Sequence, residues 1–224
     1  MDGRWPTGGQ AAVLRRDDQG KRVVGFVPTG KLPVGGYVMR ILVACEFSGV
    51  VRDAFQVAGH DAYSCDLLPS ETPGNHIEGD VLQHLNDGWD LMIAHPPCTY
   101  LCVSGARWFK DRLQEQDEAV QFVEELLDAP IPHIAIENPI GVLSTRIRKP
   151  DQIYQPWWFG EPEVKATCLW LKDVPPLLAI EMGWGREQRI HQLGPSSDRW
   201  KERSRTLPKV AAAMVMQWGH LGAD

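Results

Sequence analysis

The sequence predicts an α/β chain built on a mostly parallel sheet with helices on both faces. Three observations carry that expectation. Short apolar runs alternate with helical stretches from residue 39 onward. The runs have the length of buried strands rather than of helices. Each run also ends in a polar or turn-forming cluster, on the side where open α/β sheets bind their ligands.

The elements follow in order. Residues 40–45 (Arg-Ile-Leu-Val-Ala-Cys) are an apolar run ending in a turn signal, a first buried strand. Residues 50–58 read as a helix closed by Gly59. Residues 62–65 give a second strand followed by Asp66, and residues 76–79 a short third one ending at Asp80. Residues 91–94 form a fourth, stopped by Pro96 and Pro97. Across 111–127 the apolar residues Leu113, Ala119, Phe122, Val123, Leu126 and Leu127 recur at helical spacing, which predicts a long amphipathic helix. Residues 133–136 make a fifth strand, ending at Glu137-Asn138-Pro139. Beyond it come a loop over 155–160, a strand over 167–171 and a final helix over 208–218.

Bulk properties limit the function. A chain of 224 residues with 43% hydrophobic and 23% charged residues suits one folded domain. The expected organisation is a weakly ordered leader over residues 1–38, with a small hairpin near Val23 to Val27, then one domain over 39–224. A formal net charge of -6 excludes a uniformly basic nucleic-acid coat. Residues 186–209 nevertheless hold seven Lys or Arg against three acids, a local net of +4, and Trp157, Trp158, Trp184 and Trp200 fall in expected loops. The stretch Arg199-Trp200-Lys201-Glu202-Arg203-Ser204-Arg205 is either a phosphate-and-base contact or a solvated face. Five scattered cysteines with no CxxC pair argue against disulfides and zinc, and so for a reduced, cytoplasmic setting. No signal peptide and no membrane-length apolar run is present, so no membrane partner is expected.

The polar clusters carry the chemistry. In Cys45-Glu46-Phe47-Ser48-Gly49, a tight glycine turn lets backbone approach a ligand at the start of the next helix. Asp66 is placed to accept from a ribose diol, or is a loop acid, and Asp80 reaches an adenine amine, or caps the turn after Gly79. Pro96-Pro97-Cys98 fixes a thiol beyond its strand, where a thiolate can attack an electrophilic carbon; the alternative is an inert cysteine. Glu137 follows an all-apolar strand, where desolvation favours a protonated carboxyl able to donate to a ring nitrogen. The alternative is a structural Glu paired with Arg146 or Arg148.

Phe47-Ser48-Gly49, Asp66, Gly79-Asp80, Pro97-Cys98 and Glu137-Asn138 together resemble, in order and rough spacing, the cytosine-5 DNA methyltransferase family. The resemblance covers about residues 40–140, and the whole chain is similar to small phage-type members. It implies a Rossmann-like S-adenosylmethionine-dependent methyltransferase fold. It implies that Cys98 adds to carbon 6 of cytosine while Glu137 holds and protonates the ring at N3, and that carbon 5 then takes the methyl group. Pro97, Asn138 and Lys165 join Cys98 and Glu137 in the expected catalytic set. Glu46, Phe47, Ser48, Gly49, Asp66, Asp80 and Pro96 form the expected S-adenosylmethionine set, and no metal is implied. Two departures stand out. Val50 and Val51 replace the family's second glycine, and no Gln-x-Arg-x-Arg follows the fifth strand, where Lys165 and Thr167 lie nearest. The 85 residues after Pro139 (224 less 139) leave little for a separate DNA-reading domain. The expected acceptor is therefore single-stranded or duplex DNA, flipped if duplex. A free cytidine nucleotide, or a silent nucleic-acid-binding module, is the alternative.

Overall fold

The computed structural model describes residues 10–16, 22–28, 37–103, 111–180, 185–192, 194, 196 and 198–222. The elements are β1 (Gln10–Arg16), β2 (Arg22–Pro28), β3 (Arg40–Ala44), α1 (Val50–Val57), β4 (Asp61–Asp66), β5 (His76–Glu78), β6 (Leu91–Ala94), α2 (Leu113–Leu127), β7 (His133–Pro139), α3 (Leu143–Arg146), β8 (Gln152–Tyr154), β9 (Thr167–Lys172), α4 (Arg189–Gln192), α5 (Arg199–Ser204) and α6 (Pro208–Trp218). Of the expected leader, β1 and β2 pair antiparallel as a two-stranded sheet, with Val23 to Val27 on the second strand. Trp184 lies outside the described residues.

A seven-stranded sheet has the order β5-β4-β3-β6-β7-β9-β8. β3, β4, β5, β6 and β7 run parallel, and β9 runs antiparallel to β7 and β8. This is a Rossmann-like sheet, mostly parallel with helices on both faces, as the sequence predicts. The central strands read as unbroken apolar runs because both of their faces are covered. On one face Ile41, Val43, Leu91, Ile93 and Ala135 pack with α1 and α6, through Val51, Phe55, Val210, Met214 and Trp218. On the other, Leu42, Met92, Ala94, Ile134 and Ile136 pack with α2 and α3, through Val120, Val123, Leu126 and Leu143.

Strand β7 runs three residues further than its apolar pattern predicts. The parallel ladder with β6 stops at Ala94 opposite Ile136, but antiparallel β9 continues to pair Glu137, Asn138 and Pro139 with Leu169, Cys168 and Thr167. Glu137 and Asn138 are therefore strand residues that overhang the end of the parallel ladder. Strand order reverses at β3, with β4 added on one side and β6 on the other, so the crevice beyond β3 and β6 is the position where such sheets hold ligands.

Candidate functional site

The first wall is the turn after β3. Gly49 precedes α1 with φ +74°, and a Cβ there would overlap Thr72 and Arg52, so glycine is required on both conformational and steric grounds. Glu46 is buried and turns back onto the helix start. Its Oε1 accepts from the Val51 amide at 2.7 Å and its Oε2 from the Arg52 amide at 3.2 Å. Ser48, also buried, donates to Glu46 Oε1 at 3.3 Å. The amides that the sequence offers to a ligand are thus held by Glu46. Burial pushes the Glu46 carboxyl up, against the His95 charge and these amides.

Two acids stand at the next strand ends, close to the Cys45 thiol. Asp66 accepts from the Leu68 amide at 3.0 Å, and Asp80 accepts from the Leu82 amide at 3.0 Å as the cap of a short 3-10 turn. Each therefore commits one oxygen to the backbone. Burial, then the charges of Asp66, Cys65 and Asp80, push the Cys45 thiol up, which places both aspartates close to the first turn. Burial also raises Asp66, against the Leu68 amide and His76. Leu67, 75% exposed, offers an apolar surface beside Asp66.

The second wall joins β6 to β7. Asn138 is buried and donates from Nδ2 to the Pro96 carbonyl at 2.8 Å, tying the Pro96-Pro97-Cys98 loop to the strand that carries Glu137. The same loop is fixed further on by Val142 donating to Leu101 O at 2.8 Å, and a Cβ on Gly141 would overlap that carbonyl. Pro96 is buried, whereas Pro97 and Cys98 are exposed. The neighbouring Cys102 thiol holds the Cys98 thiol above its usual range, while Lys165 and Arg203 pull the other way. Lys165 Nζ donates to the Arg203 carbonyl at 3.1 Å. A small cavity lies between Glu137, Tyr154, Lys165, Thr167 and Thr206.

Glu137 differs from expectation. Its partner is neither Arg146 nor Arg148, which pair with Asp117 and Asp151. It is His95, whose Nδ1 lies 2.9 Å from Glu137 Oε2. Burial pushes the carboxyl up, but the His95 bond and charge, with Lys165, outweigh it and hold the carboxyl below its usual value. This direction runs against the expected protonated carboxyl, because His95 and Lys165 stand where the sequence suggested only apolar surroundings.

Lys165 thus interacts with both Cys98 and Glu137, and Asn138 ties the Pro96-Pro97-Cys98 loop to the same strand, whereas Glu46, Phe47, Ser48 and Gly49 form the turn after β3 and Asp66 and Asp80 stand at the ends of β4 and β5. Sequence reading missed His95, whose signal was a polar residue inserted between an apolar strand and Pro96. It also missed Arg203, which reaches the site only through the fold. Among the described residues no group of three or more His, Cys, Asp or Glu is arranged to hold a metal, and no helix is long and apolar enough to cross a membrane.

No protein-family model and no curated protein matches this sequence. Solved structures do. A protein described as a DNA modification methyltransferase encoded within a prophage (E. coli) is 16% identical, with TM-score 0.39, over 59% of this chain and 46% of that one. The Entamoeba histolytica methyltransferase EhMeth is 14% identical, with TM-score 0.46, over 71% of this chain and 61% of that one. A mutant of Spodoptera frugiperda DNMT2 is 17% identical, with TM-score 0.41, over 71% and 61%. The chain spans about half to three-fifths of the length of these structures.

Proposed function

We propose that the protein is an S-adenosylmethionine-dependent methyltransferase acting on carbon 5 of cytosine in DNA, with Cys98 as nucleophile. The observation that carries this reading is the hydrogen bond from Asn138 to the Pro96 carbonyl, 2.8 Å, which joins the Pro-Cys loop to the Glu-Asn strand. Lys165 then acts electrostatically on both Cys98 and Glu137, so nucleophile and carboxylate share one neighbourhood.

The residues present fit the cofactor. Asp66 and Asp80 each keep one oxygen outside their backbone bond, a donor set suited to a ribose diol and an adenine amine, and exposed Leu67 supplies an apolar platform. When bound, S-adenosylmethionine supplies an electrophilic methyl group. The chain's own residues do the rest. Cys98, as thiolate, adds to carbon 6, helped by the Lys165 and Arg203 cations and opposed by Cys102. Glu137 grips the ring at N3, making carbon 6 electrophilic and carbon 5 electron-rich once sulfur has added. Pro97 and Asn138 fix the distance between the two groups.

A second reading keeps the chemistry and takes a free cytidine nucleotide. It is favoured by α5, which lies against both walls: Trp200 packs on Phe47 at 5.7 Å between ring centroids, and the Arg203 carbonyl accepts from Lys165. Such a cover suits a small acceptor.

Transfer of labelled methyl to duplex DNA, single-stranded DNA and dCMP, with wild type and Cys98→Ser, separates these. The expected result is label in DNA that disappears with Cys98→Ser while cofactor binding persists. Label in dCMP alone moves the assignment to the nucleotide. Normal turnover by Cys98→Ser sinks the covalent mechanism, and no label in any acceptor favours a silent binding module.

A further inference from the structure

His95 directly follows β6, and its side chain is 10% exposed. Its Nδ1 is 2.9 Å from Oε2 of Glu137. Its Nε2 is buried without a hydrogen-bond partner among the described residues. Glu46 feels the His95 charge from the turn after β3. Lys165, Tyr154 and Cys168 interact with Glu137 from the other elements packed around it. A buried nitrogen without a partner is unfavourable, and an apolar side chain at this position would avoid it. What an imidazole adds is a proton that it gains and loses near neutral pH.

We propose that His95 is a positioning residue for Glu137: it holds Oε2, leaves Oε1 to the acceptor ring, and shares with the carboxyl the one proton that ring N3 takes up and returns. The inference rests on the cytosine reading above. Its proton count closes. Before attack the pair carries one proton beyond neutral imidazole and carboxylate, and in its transferring form Nδ1–H donates to Oε2 while the second proton sits on Oε1, facing N3. As the Cys98 sulfur bonds to carbon 6, the C5=C6 electron pair shifts to C4=C5 and the C4=N3 pair to N3, which takes that proton. After carbon 5 has taken the methyl group, it loses its own proton to solvent, that electron pair re-forms C5=C6 as the carbon–sulfur bond breaks, and N3 gives its proton back. The pair is then as it began.

Two variants test this. His95→Gln can still donate to Glu137 but carries no titrating proton, and His95→Ala removes both properties. The Glu137 carboxyl is followed by carbon-13 NMR from about pH 4 to 9, and kcat/KM for methyl transfer to single-stranded DNA is measured over the same range. In His95→Gln, Glu137 is expected to titrate higher than in wild type, because the His95 charge no longer adds to that of Lys165 in opposing burial. The kcat is expected to fall about 10- to 100-fold with KM and cofactor binding little changed. The alkaline limb is expected to move to lower pH, since imidazole ordinarily holds its proton about two units above a carboxyl. An unchanged limb and an unchanged Glu137 titration in folded His95→Gln overturn the proposal. Should both variants fail to fold, nitrogen-15 NMR of wild type is the deciding measurement: His95 and Glu137 titrating in step support the proposal, and independent titration overturns it. If wild type transfers methyl to no acceptor, the cytosine reading fails, and the Glu137 titration still decides whether His95 governs the carboxyl.

Discussion

Glu137 is the side chain on which burial and charge compete most directly. Its folded value lies below the ordinary one because His95 and Lys165 outweigh desolvation. A depressed carboxyl stabilises the fold above its unfolded value, about pH 4.3, and that contribution is lost as pH falls through the folded value. Glu137→Gln is therefore expected to cost about 1–3 kcal/mol at neutral pH, with the gap to wild type closing on acidification below about pH 4. Denaturant melts at a series of pH values check this, and a gap that stays constant to acid pH would remove the ion pair from the stability of the fold. Arg52 shows the opposite use of a charge. Its guanidinium is fully buried but donates to Ser64 at 3.0 Å, Ser70 at 3.0 Å and the Thr72 hydroxyl at 2.6 Å, in space left by Gly49 and Gly74. It thereby fixes the loop that carries Glu71 beside the turn after β3, where the Glu71 amide donates to the Phe47 carbonyl at 2.8 Å.

At the scale of elements, α5 is the segment whose sequence left two readings open. The fold sets it across the site rather than on a remote face. Arg205 forms a forked pair with Glu71 at 2.7 and 2.8 Å, Trp200 leans on Phe47, and the Arg203 carbonyl receives Lys165. The Arg205–Glu71 pair is about one-third exposed, so it contributes about 1 kcal/mol at most and serves placement more than stability. Trp200 remains 52% exposed, which leaves ring surface for a base. Trp200→Ala is expected to weaken single-stranded DNA binding by about 1–3 kcal/mol, the range for one stacked base. Its melting temperature should stay close to wild type. Fluorescence anisotropy at fixed salt reads the effect, and an unchanged affinity would leave α5 as cover over the crevice without a contact to nucleic acid.

For the whole molecule, the seven-stranded sheet begins at β3 and none of its ladders includes β1 or β2, which pair with each other. Among the residues whose side chains are described, both apolar cores draw on residues 39 onward. Removing residues 1–38 is expected to change unfolding free energy by about 0.5 kcal/mol or less and to leave methyl transfer intact. Calorimetry and the labelled-methyl assay check it, and loss of cofactor binding in the truncated chain would make the leader part of the fold.

The alternation of apolar runs with helical spacing was enough to determine the parallel core, because buried strands and amphipathic helices each leave a local period in the chain. Local chemistry was also enough to mark Gly49, Asp66, Asp80, Pro97-Cys98 and Glu137-Asn138, since each stands where a strand loses its apolar character. The edge strand β8 and the extension of β7 over Glu137 left no such trace, because they exist only by pairing with antiparallel β9. Nor could the sequence show that Glu137 meets His95 across 42 residues, or that Arg203 and Lys165 converge on Cys98. The charge state of a buried carboxyl depends on which groups surround it in space, and only the tertiary structure decided that.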